Sequence, residues 1–154
     1  MRRLVSLTKV VPAALVLFAA GCGITDNESD DNEIDLRIAE QRWLRSGVQD
    51  YQIVVQHLCF CGYVRPVRLT VRAGNIVSRV DAESGEPVPP QGSHIGAIPD
   101  LFDLVREAIE QDAYSLTVSY DATYGFQTQI NIDYIGNAVD DELHVSASQF
   151  QPAR

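Results

Sequence analysis

The chain has 154 residues, 45% of them hydrophobic and 21% charged, with 21 acids against 12 bases and a formal net charge of −9. That is long and apolar enough to bury the core of one domain, which excludes a wholly disordered polypeptide. The acidic balance argues against nucleic acid as a partner and against electrostatic attraction to anionic lipid.

The N-terminus carries Arg2, Arg3 and Lys9, then an apolar run from Val10 to Ala20, then Gly21 and Cys22. Basic, apolar and small-residue segments in that order predict a secretory signal over residues 1–21. The apolar run has 11 residues, about half of the ~20 that a membrane-crossing helix needs, so cleavage is expected rather than a permanent span. Phe18-Ala19-Ala20-Gly21-Cys22 resembles the bacterial lipobox, with Ala19 where leucine is usual. The resemblance implies that Cys22 is lipidated with palmitate-class chains and becomes the mature N-terminus. Two or more acyl chains anchor firmly where one gives only marginal binding. Gly23, rather than Asp, after the cysteine resembles lipoproteins released to the outer membrane. The expected location is the bacterial cell envelope, on the outer membrane facing periplasm or surface if the host is Gram-negative. Cleavage removes Arg2, Arg3 and Lys9 and leaves nine Arg, no Lys and 21 acids, a mature charge of −12.

Residues 22–33 are acidic and poor in apolar side chains, which predicts a flexible tether. A single domain is expected over residues 34–151. Ile34 to Ser46 reads as a helix, with Glu33 and Asp35 at its start, Arg42 and Arg45 near its end, Gly47 to stop it, and Leu36, Ala39 and Trp43 on one face. Tyr51 to Phe60 is rich in β-branched and aromatic residues and predicts a strand. A hairpin follows, with Val67, Leu69 and Val71 alternating against Arg68, Thr70 and Arg72, and a turn at Ala73-Gly74-Asn75. Glu83 to Pro99 holds four prolines and three glycines and predicts a long loop, mobile or functional. Pro99 to Gln111 reads as a second helix with Leu101, Phe102, Val105, Ala108 and Ile109 on one face. Strands at Tyr114–Tyr120 and Phe126–Tyr134, joined by a turn at residues 121–125, and a last strand at Leu143–Phe150 complete the chain. The order α-β-β-β-α-β-β-β predicts an α+β fold, an antiparallel sheet of about six strands packed with two helices.

His57-Leu58-Cys59-Phe60-Cys61-Gly62 is the stretch richest in potential chemistry. On an extended strand His57, Cys59 and Cys61 share a face and could offer an imidazole and two thiolates to zinc or copper. Residues two apart on a strand lie ~6.5–7 Å apart, whereas two thiolates on one zinc must approach to about 4 Å. A disulfide tolerates Cα separations up to ~6.8 Å, and Gly62 can relax the strand end. An even pair left in an exported protein is normally oxidised, so Cys59–Cys61 is the expected bridge, while a free cysteine nucleophile beside His57 suits that compartment less well. Asp133, Asp140, Asp141 and Glu142 offer calcium-like oxygens without EF-hand spacing, which favours a solvated turn. Arg65, Arg68, Arg72 and Arg79 form an expected positive stripe on the outer face of the first hairpin. Arg68, Arg72, Tyr120, Asp121 and Tyr124 are the candidate binding residues. No Gly-x-Ser-x-Gly, Walker or His-Glu-x-x-His pattern is present, so no enzyme activity or cofactor is expected.

Trp43, Tyr51, Cys59-Phe60-Cys61, Val71 to Val77, Leu101-Phe102, Tyr120-Asp121-Ala122-Thr123-Tyr124-Gly125-Phe126, Ile132-Asp133 and Asp140-Asp141-Glu142 form an ordered signature over about residues 36–150. It resembles a family of bacterial lipoproteins described only as a domain of unknown function. The resemblance implies an exported single domain and supplies no catalytic residue, cofactor or partner. The expected function is a lipid-anchored, non-enzymatic interaction domain, meeting the membrane through Cys22 and an envelope protein through a sheet face or the proline-rich loop. The alternative is a metal-binding or thiol-redox protein built on His57, Cys59 and Cys61.

Overall fold

The computed structural model describes residues 28–59, 65–90, 95–138 and 141–153. In chain order the elements are α1 (Glu28–Ser46), β1 (Tyr51–Leu58), β2 (Val67–Arg72), β3 (Asn75–Asp81), α2 (Ile98–Glu110), β4 (Ser115–Tyr120), β5 (Gln127–Asp133) and β6 (Leu143–Pro152). The six strands make one sheet in the order β3-β2-β1-β6-β5-β4, antiparallel at every pairing. The predicted α+β architecture is the one observed.

The central pairing joins the first strand to the last, so the sheet closes only when both halves of the chain are present. Side chains alternate across each strand. One face carries Tyr51, Ile53 and Val55 of β1, Val67, Leu69 and Val71 of β2, Ile130 and Ile132 of β5, and Val145 and Ala147 of β6, all buried. Leu36, Ala39 and Trp43 of α1 and Ile98, Leu101, Phe102, Val105 and Ala108 of α2 join them in one core. Fully burying each such aliphatic side chain contributes roughly 1.5–3 kcal/mol, so this layer is what holds the fold.

α2 starts where expected: Ile98-Pro99 places proline in the first turn, and Asp100 Oδ2 accepts the Ala97 N–H at 2.6 Å. α1 starts ahead of the predicted Ile34, at Glu28. Asp30 and Asp31 complement the positive end of the helix dipole, and Asn32 Nδ2 donates to Leu116 O at 3.3 Å, fastening the first turns to edge strand β4. Residues 28–33 of the expected tether are therefore helical, and 22–27 lie outside the described residues, as does the predicted signal segment. The β2–β3 turn places Ala73 and Gly74 at φ 47° and 75°, the left-handed conformation that two-residue hairpins require. Asp50 Oδ1 accepts the Ala73 N–H at 2.6 Å.

Five aromatic rings close one end of the sandwich. Trp43 meets Tyr51, Phe126 and Phe150 edge-on at centroid distances of 5.5, 6.5 and 6.0 Å, and Tyr124 lies 4.9 Å from Phe150. Such pairs contribute about 0.5–1.5 kcal/mol each beyond their area. The cluster ties the end of α1 to the start of β1, the β4–β5 turn and the end of β6.

Candidate functional site

The strand directions give the sheet two unlike ends. At the closed end lie the aromatic cluster and Tyr120-Asp121-Ala122-Thr123-Tyr124-Gly125. Asp121 Oδ1 accepts the N–H groups of Thr123 at 2.9 Å and Tyr124 at 2.7 Å, which shapes the turn. Gly125 has φ +85°, and a Cβ there would sit 2.4 Å from Ala39 O and 2.9 Å from Arg42 Cβ on α1. This segment brings the turn against the helix. Burial pushes the Tyr120 hydroxyl above its ordinary pKa, with Asp35 adding to the rise.

At the opposite end, where β1 and β5 finish and β4 and β6 begin, the structure opens into a groove of about 670 Å³. Its lining includes Leu58, Ile132 and Leu143 as apolar groups, and Asn131, Asp133, Glu142 and His144 as polar ones, with Cys59 and Ser115 completing it. His144 Nδ1 and Asn131 Oδ1 are hydrogen-bonded across the β5–β6 pair. The Ile135 N–H donates to Asp133 Oδ1 at 3.2 Å and to Asp141 Oδ2 at 2.7 Å, which tightens the exit from β5. Three elements named from the sequence therefore converge here: Cys59, Ile132-Asp133 and Glu142. Sequence reading alone does not group them, because the β1–β6 and β5–β6 pairings that bring them together are non-local.

The groove is one end of a larger surface. The sheet face turned away from the helices carries Ser115, Thr117 and Ser119 of β4, Gln129 and Asn131 of β5, His144, Ser146 and Ser148 of β6, and Gln52 and Gln56 of β1, as the strand register places them. Nearly all of these are hydroxyl or amide residues; the register adds the acid Asp133, opposite Ser115 at the groove end, so negative charge on these strands is confined to that end.

Arg68 and Arg72 lie on this open face. Arg68 stands opposite Val54 and donates to Gln149 Oε1 at 3.2 Å, bridging β2 and β6 across Val54, which is buried. Arg65 and Arg79 depart from the expected stripe. A register shift between Thr70 and Val71 sets Arg79 opposite Leu69 on the helix side, where it donates to Ile95 O. Arg65 Nε pairs with Asp81 at 2.9 Å, and Asp81 also accepts the N–H groups of Glu83 and Ser84. The candidate binding residues are thus split: Arg68 and Arg72 are on the open face, while Tyr120, Asp121 and Tyr124 are at the closed end.

The proline-rich loop is partly packed. Pro87 bridges to Val80, and Val88, Ile95 and Ala97 are buried against the core. His57 is buried on the helix side of β1, and Cys59 follows it at the strand end. Cys61 and His94 lie outside the described residues, as do Cys22 and Asp140. Among the described residues no group of three or more His, Cys, Asp or Glu is arranged to hold a metal, and no helix is long and apolar enough to cross a membrane.

No curated protein and no solved structure matches the chain. A protein family described as a family of unknown function, DUF6174, matches residues 35–152, from the second turn of α1 to the end of β6. The chain belongs to that family.

Proposed function

We propose that this chain is a lipid-anchored lipoprotein of the bacterial envelope whose folded domain is a non-enzymatic interaction module. The observation that carries the reading is the open sheet face, a broad surface rich in hydroxyl and amide side chains, with α1 and α2 packed on the opposite side. Such groups hydrogen-bond a partner without the desolvation penalty of buried charge. The N-terminal order of basic, apolar and small residues before Cys22 supports export and lipidation.

The same reading assigns Cys59 and Cys61 to a local disulfide. It is supported by the even pair of cysteines that remains once Cys22 is lipidated, which an oxidising compartment outside the cytoplasm would bridge. The metal or thiol-redox alternative uses His57, Cys59 and Cys61. Non-reducing intact-mass analysis with thiol alkylation and metal content separates the two: two missing hydrogens and no metal fit the disulfide, whereas two alkylatable thiols with stoichiometric zinc or copper sink it. For the anchor, labelled palmitate should enter the wild-type chain and be lost from Cys22→Ala. Label retained in that variant would overturn the lipidation.

A further inference from the structure

We propose that the groove at the open end of the sheet binds a cationic, partly apolar peptide segment of a partner protein. This deepens the interaction-module reading and rests on it. Among the described residues, the lining brings Asp133 and Glu142 together with Leu58 and Leu143, and includes no Arg. Exposed large hydrophobic residues gather at the same end: Leu58 is 48% exposed, Tyr114 70% and Ile135 62%. Leu58 lines the groove itself, while Tyr114 and Ile135 stand just outside it, beside the start of β4 and the end of β5. Scattered apolar residues need no explanation, but their gathering at one end of the sheet does. A cation with an aliphatic or aromatic body satisfies both halves of such a lining, its charge meeting the carboxylates and its body covering the apolar groups.

The shape favours a chain segment. The groove runs across the ends of β1, β6, β5 and β4, and three strand spacings of ~4.8 Å give a length of about 14 Å, enough for about four extended residues. It is an open trough, and its 670 Å³ falls within the roughly 300–1,000 Å³ typical of ligand clefts.

The test uses the mature chain and a fluorescent ten-residue peptide alternating Lys with Leu, beside matched peptides carrying Glu or Ser in place of Lys. Fluorescence anisotropy should show saturable binding of the Lys peptide, weakened by salt, and at least tenfold weaker binding of the other two. Asp133→Asn combined with Glu142→Gln should weaken the Lys peptide at least tenfold; Asn keeps the acceptor for the Ile135 N–H. The control pair Glu86→Gln and Glu110→Gln removes equal charge elsewhere and should leave affinity within twofold. Amide NMR shifts should centre on Asn131, Asp133, Leu143 and His144. Equal weakening by the control pair would mean diffuse attraction to an acidic protein and would overturn the groove. Shifts centred instead on Gln52, Thr70 and Ser78 would overturn it while leaving the open-face reading intact. No saturable binding of the Lys peptide would also overturn it.

Discussion

Gly125→Ala tests whether the β4–β5 turn is built to receive α1. Two costs add. The residue sits at φ +85°, where an L side chain costs about 1–2 kcal/mol. The new Cβ would lie 2.4 Å from Ala39 O, a backbone atom that cannot swing aside as a side-chain tip can. Forcing α1 away from the turn belongs with overpacking, at about 1–3 kcal/mol, so the expected total is about 2–5 kcal/mol. Gly74→Ala separates the two costs, since Gly74 has φ +75° with nothing within 4 Å of its added Cβ; only the backbone cost should remain. Trp43 is the sole tryptophan and packs on Phe126 beside the turn, so its fluorescence reports unfolding. With a urea m-value of about 1–3 kcal/mol/M, Gly125→Ala should lower the midpoint by on the order of 1 M more than Gly74→Ala does. Equal midpoints for the two variants would refute the close approach.

Alkaline pH should destabilise the domain. Burial pushes the Tyr51 hydroxyl up to about 12 from its ordinary 10, so the folded chain holds that proton more tightly than the unfolded one. The contribution is complete below about pH 10 and is lost as pH rises toward 12, a fall of at most ~2.7 kcal/mol. Tyr51→Phe should cost about 1–3 kcal/mol near neutrality, because the buried Ile98 N–H loses its acceptor at 3.1 Å. The same variant should show a shallower loss of stability than wild type above about pH 10 in urea titrations. A slope as steep as wild type would count against it. Asp81→Ala should cost about 2–4 kcal/mol, since it strips the Glu83 and Ser84 N–H groups and Arg65 of a buried acceptor. Arg65→Ala, at a half-exposed position, should cost less than Asp81→Ala in the same assay, because Asp81 keeps the Glu83 and Ser84 N–H groups as partners.

The fold is legible in the sequence because its signals are local. Val67, Leu69 and Val71 show the two-residue period of a half-buried strand, and Leu101, Phe102, Val105 and Ala108 show the helical one. The start of α1 is not legible, because Asn32 gains its partner only when β4 arrives at the edge of the sheet. Arg79 is misplaced for a similar reason: the register shift at Thr70 and Val71 reverses the face that simple alternation assigns. The groove is the least legible feature. Asp133 and Glu142 stand out as acids and Cys59 as half of a C-x-C pair, yet nothing near them in sequence reveals that β6 inserts between β1 and β5. Asn131 and His144 can be marked only as outward polar positions on their strands.

Photo-crosslinking in cells that make the full chain tests the interaction face most directly. A photoreactive residue is placed at Thr117 or Gln129 on the open face, or at Glu110 on the helix side, all three exposed. The prediction is one discrete adduct shared by the two open-face positions, absent from the helix-side position, and reduced by Asp133→Asn with Glu142→Gln. Adducts of equal yield from all three positions, or adducts from Glu110 alone, would contradict the open sheet face as the docking surface.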